Sequence, residues 1–467
     1  MGFLAEKLSE YVCDFKYGDI PAYVTEHTKL CLLDSLGVAL ASADKPWCKA
    51  IHSYVRRQGG AQEATVWYHG GRVPDTNAAL ANAMFVHSMD FNDDLAGIQV
   101  GGIIPPSALA IAESVGATGE EIIAAIVIGY DVATRCAVAI NSQGLYMRGF
   151  QPTAVCGAFA SAAVAGRLLK MSPTEMAYAF GIAGSYAGGT TEFLKEGTDT
   201  KRFHVAKAAH GGLISAHLAK GGMTGPRSIF EGEHGVFHAY SENSQPERLV
   251  EELGTRFDIL DTSVKLYPFC DGNAAPLEAA LAVLEENSLG IEDLETLHFQ
   301  MKSFLIPYVV DYHGDKERKY RPQNELDGQM SLPYCLSVGL LNGGKVKTTD
   351  FEPEKLSDPD ILALAAKVSA EADTELDKIP LKPMSMPAIA TIKTKDGREI
   401  IKRVDYQKGD PRNPFSTDDF VKKFCECTDG IVTSNHQQEA INCVLQLDKQ
   451  ETVELLINNL IAEKNLV

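Results

Sequence analysis

The chain has 467 residues, 45% of them apolar and 22% charged, and a net charge of −19. This is the composition of an ordinary globular protein, long enough for one to three domains and a sizeable core. The acidic balance argues against binding to nucleic acid or to an anionic membrane surface, and it makes any cluster of cations stand out.

The ten cysteines are scattered, with no CxxC pair. The one close pair, Cys425 and Cys427, lacks the second pair of a zinc or iron–sulfur site, so no metal is expected. The opening MGFLAEKLSEYV reads as an amphipathic helix and not as a signal peptide. With reduced thiols, this predicts a cytoplasmic protein. Apolar runs such as 122–129 are too short to span a bilayer, so no membrane is expected.

In chain order, helices are predicted over 3–17, from Pro21 onward, and over 47–58 up to Gly59-Gly60. A short β-like piece, ATVWY, closes at a His-Gly-Gly turn. Asp75 or Thr76 then caps a helix over 78–89. That helix delivers FVHSMDFNDDLAG, with His87, Asp90, Asp93 and Asp94 at its C-terminal end. Acids there oppose the helix dipole. They hold a cation, orient a polar substrate, or form an ordinary solvated helix end.

From 106 to 218 the chain is rich in Ala and Gly. Helices are predicted over 107–115, 119–140, 152–169, 174–189 and 203–219, with small residues that let them pack closely. The connection LYMRGFQPTAV places Tyr146 and Gln151 just before a helix-starting Pro152. The run TDTKRFHVAKAAHGG at 198–212 carries Lys201, Arg202, His204, Lys207 and His210 among small residues. It reads either as a helix start facing an anion or as a solvated charged turn.

The texture changes at Lys265. A short loop leads to a helix over 273–286, a strand-like LETLHFQMKS, helices over 331–342 and 358–370, and a hairpin of 388–394 with 398–404 joined through Lys-Asp-Gly. The predicted fold class is therefore mainly α. A large all-helical domain over 1–264 is followed by an inserted smaller α+β domain over 265–404. Helices over 405–467 return to the large domain.

Seven stretches occur in a recognisable order: DSLGVALA at 34–41, HSMDFND at 87–93, YMRGFQPTAVCG at 146–157, TKRFHVAKAAHGG at 200–212, KLYPFC at 265–270, GQMSLPYCLSVGLLNG at 328–343 and GDPRNPFSTDDFVKKF at 409–424. On these, the chain resembles the MmgE/PrpD family, which includes 2-methylcitrate dehydratase, cis-aconitate decarboxylase and iminodisuccinate epimerase. The resemblance implies a homodimer that uses no cofactor and acts at a carbon next to a carboxylate of a small substrate. It implies catalytic roles for Lys201, Lys265, Tyr334 and His204. It implies substrate contacts from Asp90, Asp93, His87, Gln151, Tyr146 and Cys270.

Three positions depart from the family pattern, with Pro105, Gln151 and Cys270 where members carry histidines, and Asn92 replaces an acid. The resemblance implies most directly a lyase of the 2-methylcitrate dehydratase type. The missing histidines leave an epimerase, or a carboxylate-binding protein that keeps the fold, as alternatives. A lysine beside a reacting carboxylate stabilises the charge formed there. A thiol beside Lys265 would gain thiolate character, so Cys270 reads either as a thiolate, if Lys265 is near, or as an inert thiol.

Overall fold

The computed structural model describes residues 2–312, 314–380 and 385–465. Two large hydrophobic cores organise them, with a small third cluster of Phe193, Leu194, Leu326 and Met330. The first gathers side chains from Ala5 to Val264 and again from Phe415 to Ala462. The second spans Tyr267 to Ile392, with Val404 packed at its margin. The tail thus belongs to the first core. Its helix Thr417–Thr428 lies along Ala22–Ser42, where a Cβ at Gly37 would come within 3.2 Å of the Phe424 Cα.

The helix Thr200–Lys220 is the axis of the large domain. It packs on Asp75–His87, Pro152–Leu168 and Pro173–Ala183. Small residues set that closeness. A Cβ at Gly212 would stand 2.6 Å from the Ala158 carbonyl oxygen, and Ser161 Oγ donates across the seam to Ala208 O at 2.8 Å. Gly119–Ile140 is 22 residues long and apolar enough to cross a membrane, longer than the run noted from sequence. Its most apolar window is 94% buried inside the protein, so it is a core helix.

In the small domain, strand Leu294–Met301 is central. It runs antiparallel to Ala388–Thr394, which pairs in turn with Glu399–Val404. On its other side it runs parallel to Val368–Ala372. That last strand corrects the expected helix over 358–370, which stops at Ala365. The VSAEA sequence buries only its first residue, so no alternation announced it. The expected strand ATVWY shrinks to Ala64–Thr65, paired with Arg72–Val73.

The helix expected over 174–189 ends at Ala183. The loop beyond it supplies Gly189, whose carbonyl accepts from Gln151 N at 2.9 Å. Gly189 has a φ of 147°, and a Cβ there would lie 3.0 Å from His204 Cγ, so only glycine lets the loop approach so closely.

Candidate active site

The helix Asp75–His87 ends just before the acidic stretch, and the chain then turns sharply. Asp90 takes a φ of 53°, a conformation that costs energy for a residue with a side chain and that collects at functional sites. The turn aims its carboxylate between two lysines. Lys201 Nζ, from the first turn of Thr200–Lys220, donates to Asp90 Oδ1 at 2.8 Å. Lys265 Nζ, from the link between the cores, donates to the same oxygen at 3.1 Å and to Asp90 O at 3.0 Å. All three side chains are less than 10% exposed.

His87 completes the cluster. Asn92 Nδ2 donates to Asp93 O, so its oxygen faces His87 Nδ1 at 2.9 Å and fixes that nitrogen as the donor. His87 Nε2 is then left to accept from Lys201 Nζ at 3.2 Å. Burial first, and then the Lys201 charge, hold this imidazole neutral. Burial opposes charge on Asp90, but Lys201 and Lys265 together outweigh it and keep the carboxyl well below its usual range. Burial depresses Lys201, and Lys265 adds to that against the pull of Asp90. Lys265 is held above its usual value because Asp90, Asp271 and Asp94 together overcome its burial. Each ammonium has used two of its three N–H bonds among the described residues. One donor on each lysine remains for a ligand.

Both lysines and Asp90 line a cavity of about 130 Å³ between the two cores. Gln151, Tyr146 and Cys270 line it as well. Of the two readings of Cys270, the thiolate is overturned. Burial and the nearby Asp90 push the thiol up to about 11 despite Lys265, so it stays protonated.

Other expected residues stand elsewhere. Tyr334 is fully buried in the second core, against Phe351, and its OH donates to Asp350 O at 2.8 Å. It does not line the cavity, because the register of Leu332–Leu341 turns it inward. Asp93 faces away from Asp90. It accepts from Tyr130 OH at 2.5 Å and from Gly101 N at 2.6 Å, and so holds the loop. His204 lies behind Gln151, with Nδ1 and Gln151 Oε1 2.7 Å apart. Burial, then Lys207 and Lys201, depress it to about 4, so it is neutral and sets the pose of Gln151. Pro105 is buried in the first turn of Ile104–Val115, off the cavity wall.

Two cavity acids were not singled out for the site. Burial raises Asp94 to about 8, although Lys265 pulls the other way. Its Oδ2 accepts from Gln99 Nε2 at 2.9 Å, and its Oδ1 has no hydrogen-bond partner among the described residues. Burial raises Asp271 to about 6, again against Lys265, and Gln407 Nε2 donates to it at 2.9 Å. Asp94 was visible in the acidic stretch, but Asp271 sits in CDGN with no local signal.

A third omission is Lys423. Its buried ammonium pairs with Asp34 at 2.6 Å and donates to Phe91 O at 3.0 Å and Lys265 O at 2.7 Å. One cation from the tail thus ties down the residue after Asp90 and the backbone of Lys265. Among the described residues no three His, Cys, Asp or Glu side chains are grouped as metal ligands.

Family models match this architecture in two parts, the MmgE/PrpD N-terminal domain over residues 6–249 and the MmgE/PrpD C-terminal domain over 267–449. The chain belongs to the MmgE/PrpD family. Among curated relatives, the cis-aconitate decarboxylase-like protein oryM of Aspergillus oryzae is 27% identical over 98% of this chain and 97% of its own. The human cis-aconitate decarboxylase is 26% identical over 97% of this chain and 93% of its own. A 2-methylcitrate dehydratase of Salmonella typhi is 23% identical over 78% and 76%. This MmgE/PrpD protein is accordingly a lyase-type enzyme. The last residues of the C-terminal family match, from 415, pack in the first core, so family boundaries and core boundaries differ at the tail.

Proposed function

We propose that the protein is a cofactor-independent hydro-lyase acting at a carbon next to a carboxylate of a small di- or tricarboxylate. The observation that carries this reading is the pair of buried ammonium groups bridged by Asp90, each with an N–H left over, in a cavity that also holds two carboxyls of different acidity. The lysines bind the substrate carboxylate and stabilise the charge that builds on it as the neighbouring proton leaves. At neutral pH Asp271 is ionised and Asp94 is protonated, which is the split that assigns base and acid. Asp271 takes the proton from carbon, the bond to the β-hydroxyl oxygen breaks, and the Asp94 proton goes to that oxygen. Water and an alkene carboxylate result.

The end-to-end match to cis-aconitate decarboxylases favours a second reading. There a carbon–carbon bond breaks, carbon dioxide leaves, and the Asp94 proton goes to carbon. We propose also a cytoplasmic homodimer, supported by the family membership and by ten unpaired cysteines; light scattering on the purified protein tests the dimer. Incubation with 2-methylcitrate and with cis-aconitate, followed by alkene absorbance and carbon dioxide release, separates the two reactions. If neither appears, and no α-proton exchange occurs in deuterium oxide, the enzyme reading fails.

A further inference from the structure

We infer that the substrate carries no more than two carboxylates and an apolar substituent of several carbons, its charged head on the lysine pair and its chain along the opposite wall of the cavity. The inference rests on the proposed lyase site and narrows its substrate class.

The count of charges comes first. Among the described residues the cavity is lined by two cations, Lys201 and Lys265, and by three acids, Asp90, Asp94 and Asp271. Asp90 is bound to both lysines and offsets one positive charge, and an ionised Asp271 near Lys265 offsets the other. The two remaining N–H donors match the two oxygens of a single carboxylate. Each carboxylate beyond the one held by these donors would leave water without a countercharge, so affinity falls with every one added. Gln99 and Gln151 add N–H donors but no charge, since only the oxygen of Gln151 and one N–H of Gln99 are tied to charged or ring partners. The Gln99 amide meets Asp94 and Thr153, and His204 meets the Gln151 oxygen.

Apart from Ser142, Gln143, Thr153 and the Tyr146 hydroxyl, the rest of the wall is largely apolar. Met147, Phe193, Phe304, Tyr308, Met330 and Met386 face the cavity. The one hydroxyl among them, that of Tyr308, lies 3.6 Å from Met147 Sδ and belongs to the wall. Oxygens of a polycarboxylate pressed against such a surface lose their hydration and gain nothing. An alkyl chain gains about fourfold in affinity per buried methylene. Three unbranched, polarisable methionines suit a chain of variable length. There is also room to extend. A second recess of about 580 Å³ shares Gln143, Met147 and Phe304 with the cavity; beyond these it is lined by Pro307 and by the polar groups of Asn141, Lys302, Ser303 and Asp377.

The test uses two series on the full-length protein. Alkylsuccinates, which lack the leaving hydroxyl, report binding alone by calorimetry. Affinity is expected to rise at least tenfold from methyl to butyl, with citrate binding more weakly than butylsuccinate; Met386→Gln is expected to flatten the slope. In turnover assays 3-alkylmalates should show the same rise in kcat/KM, with loss of water. Equal affinity along the succinates, tighter binding of citrate, or a kcat/KM on cis-aconitate above that on every alkylmalate overturns the inference. A rising affinity with no turnover of any malate, citrate or cis-aconitate keeps the apolar subsite and overturns the lyase reading instead.

Discussion

The two walls of the cavity are built on opposite principles. The large-domain wall is a closed network, in which Asp90, Lys201, Lys265 and His87 satisfy one another and leave one N–H on each lysine. The small-domain wall, Asp271 apart, is largely side chains without charge, such as Phe304, Tyr308, Met330 and Met386. The first needs fixed positions, because electrostatic stabilisation works only when the charges do not have to reorganise. The second needs only shape and can yield. The contrast teaches where chemistry and specificity reside. The charged wall sets whether a proton moves, and the apolar wall sets whose proton it is.

The largest expected effect breaks the charged wall directly. Lys201→Met should lower kcat/KM by about 10³-fold, the scale seen when a fixed donor to developing charge is lost. Circular dichroism should remain native, since Asp90 keeps Lys265 as partner. A drop of less than tenfold would make Lys201 a structural cation.

Next comes the cation beneath that wall. Lys423→Met leaves Asp34 buried and unpaired, so stability should fall by roughly 3–5 kcal/mol. The double variant Lys423→Met with Asp34→Asn should recover most of the melting temperature but not kcat, because Phe91 and Lys265 stay unanchored. Recovery of both would reduce Lys423 to a stability role.

The pH profile sharpens the same comparison. Activity should rise as Asp271 ionises near pH 6 and fall as Asp94 deprotonates near pH 8. Asp94→Asn should remove the basic limb and lower kcat by about 10²-fold. Its sign in stability is opposite. A carboxyl whose folded value is raised binds its proton more tightly when folded, so it costs stability as pH climbs from about 4 to 8. Asp94→Asn should therefore raise the melting temperature more at pH 8 than at pH 5.

The smallest effect lies behind the apolar wall. Tyr334→Phe removes one hydrogen bond to Asp350 O, about 1 kcal/mol of stability, and should leave kcat/KM within twofold. A larger kinetic loss would return Tyr334 to the site.

Much of the fold was legible. The capping box at Thr118 and Glu121 and the left-handed Asn141 bound Gly119–Ile140 at the positions read from periodicity. The hairpin at Lys-Asp-Gly likewise stands where its turn residues put it. Strand Val368–Ala372 was not legible, since it is made by its partner rather than by its own pattern. The site divides in the same way. Lys201, Asp90 and Lys265 stood out as a cationic run, an acidic helix end and a motif lysine. Asp271 and Lys423 are ordinary residues until the chain folds.

The amino-acid sequence by itself determined the helices, the change of texture at Lys265, the family and the charged residues available for chemistry. Local propensity and periodicity act over a few residues, and these features are local. Tertiary structure alone decided which acids are ionised, which tyrosine is buried in a core and which lysine anchors which loop. Those depend on desolvation and on charges brought together from positions as far apart as Asp34 and Lys423 or Asp90 and Lys265. Over such separations no spacing rule operates, and only the packed interior sets the distances.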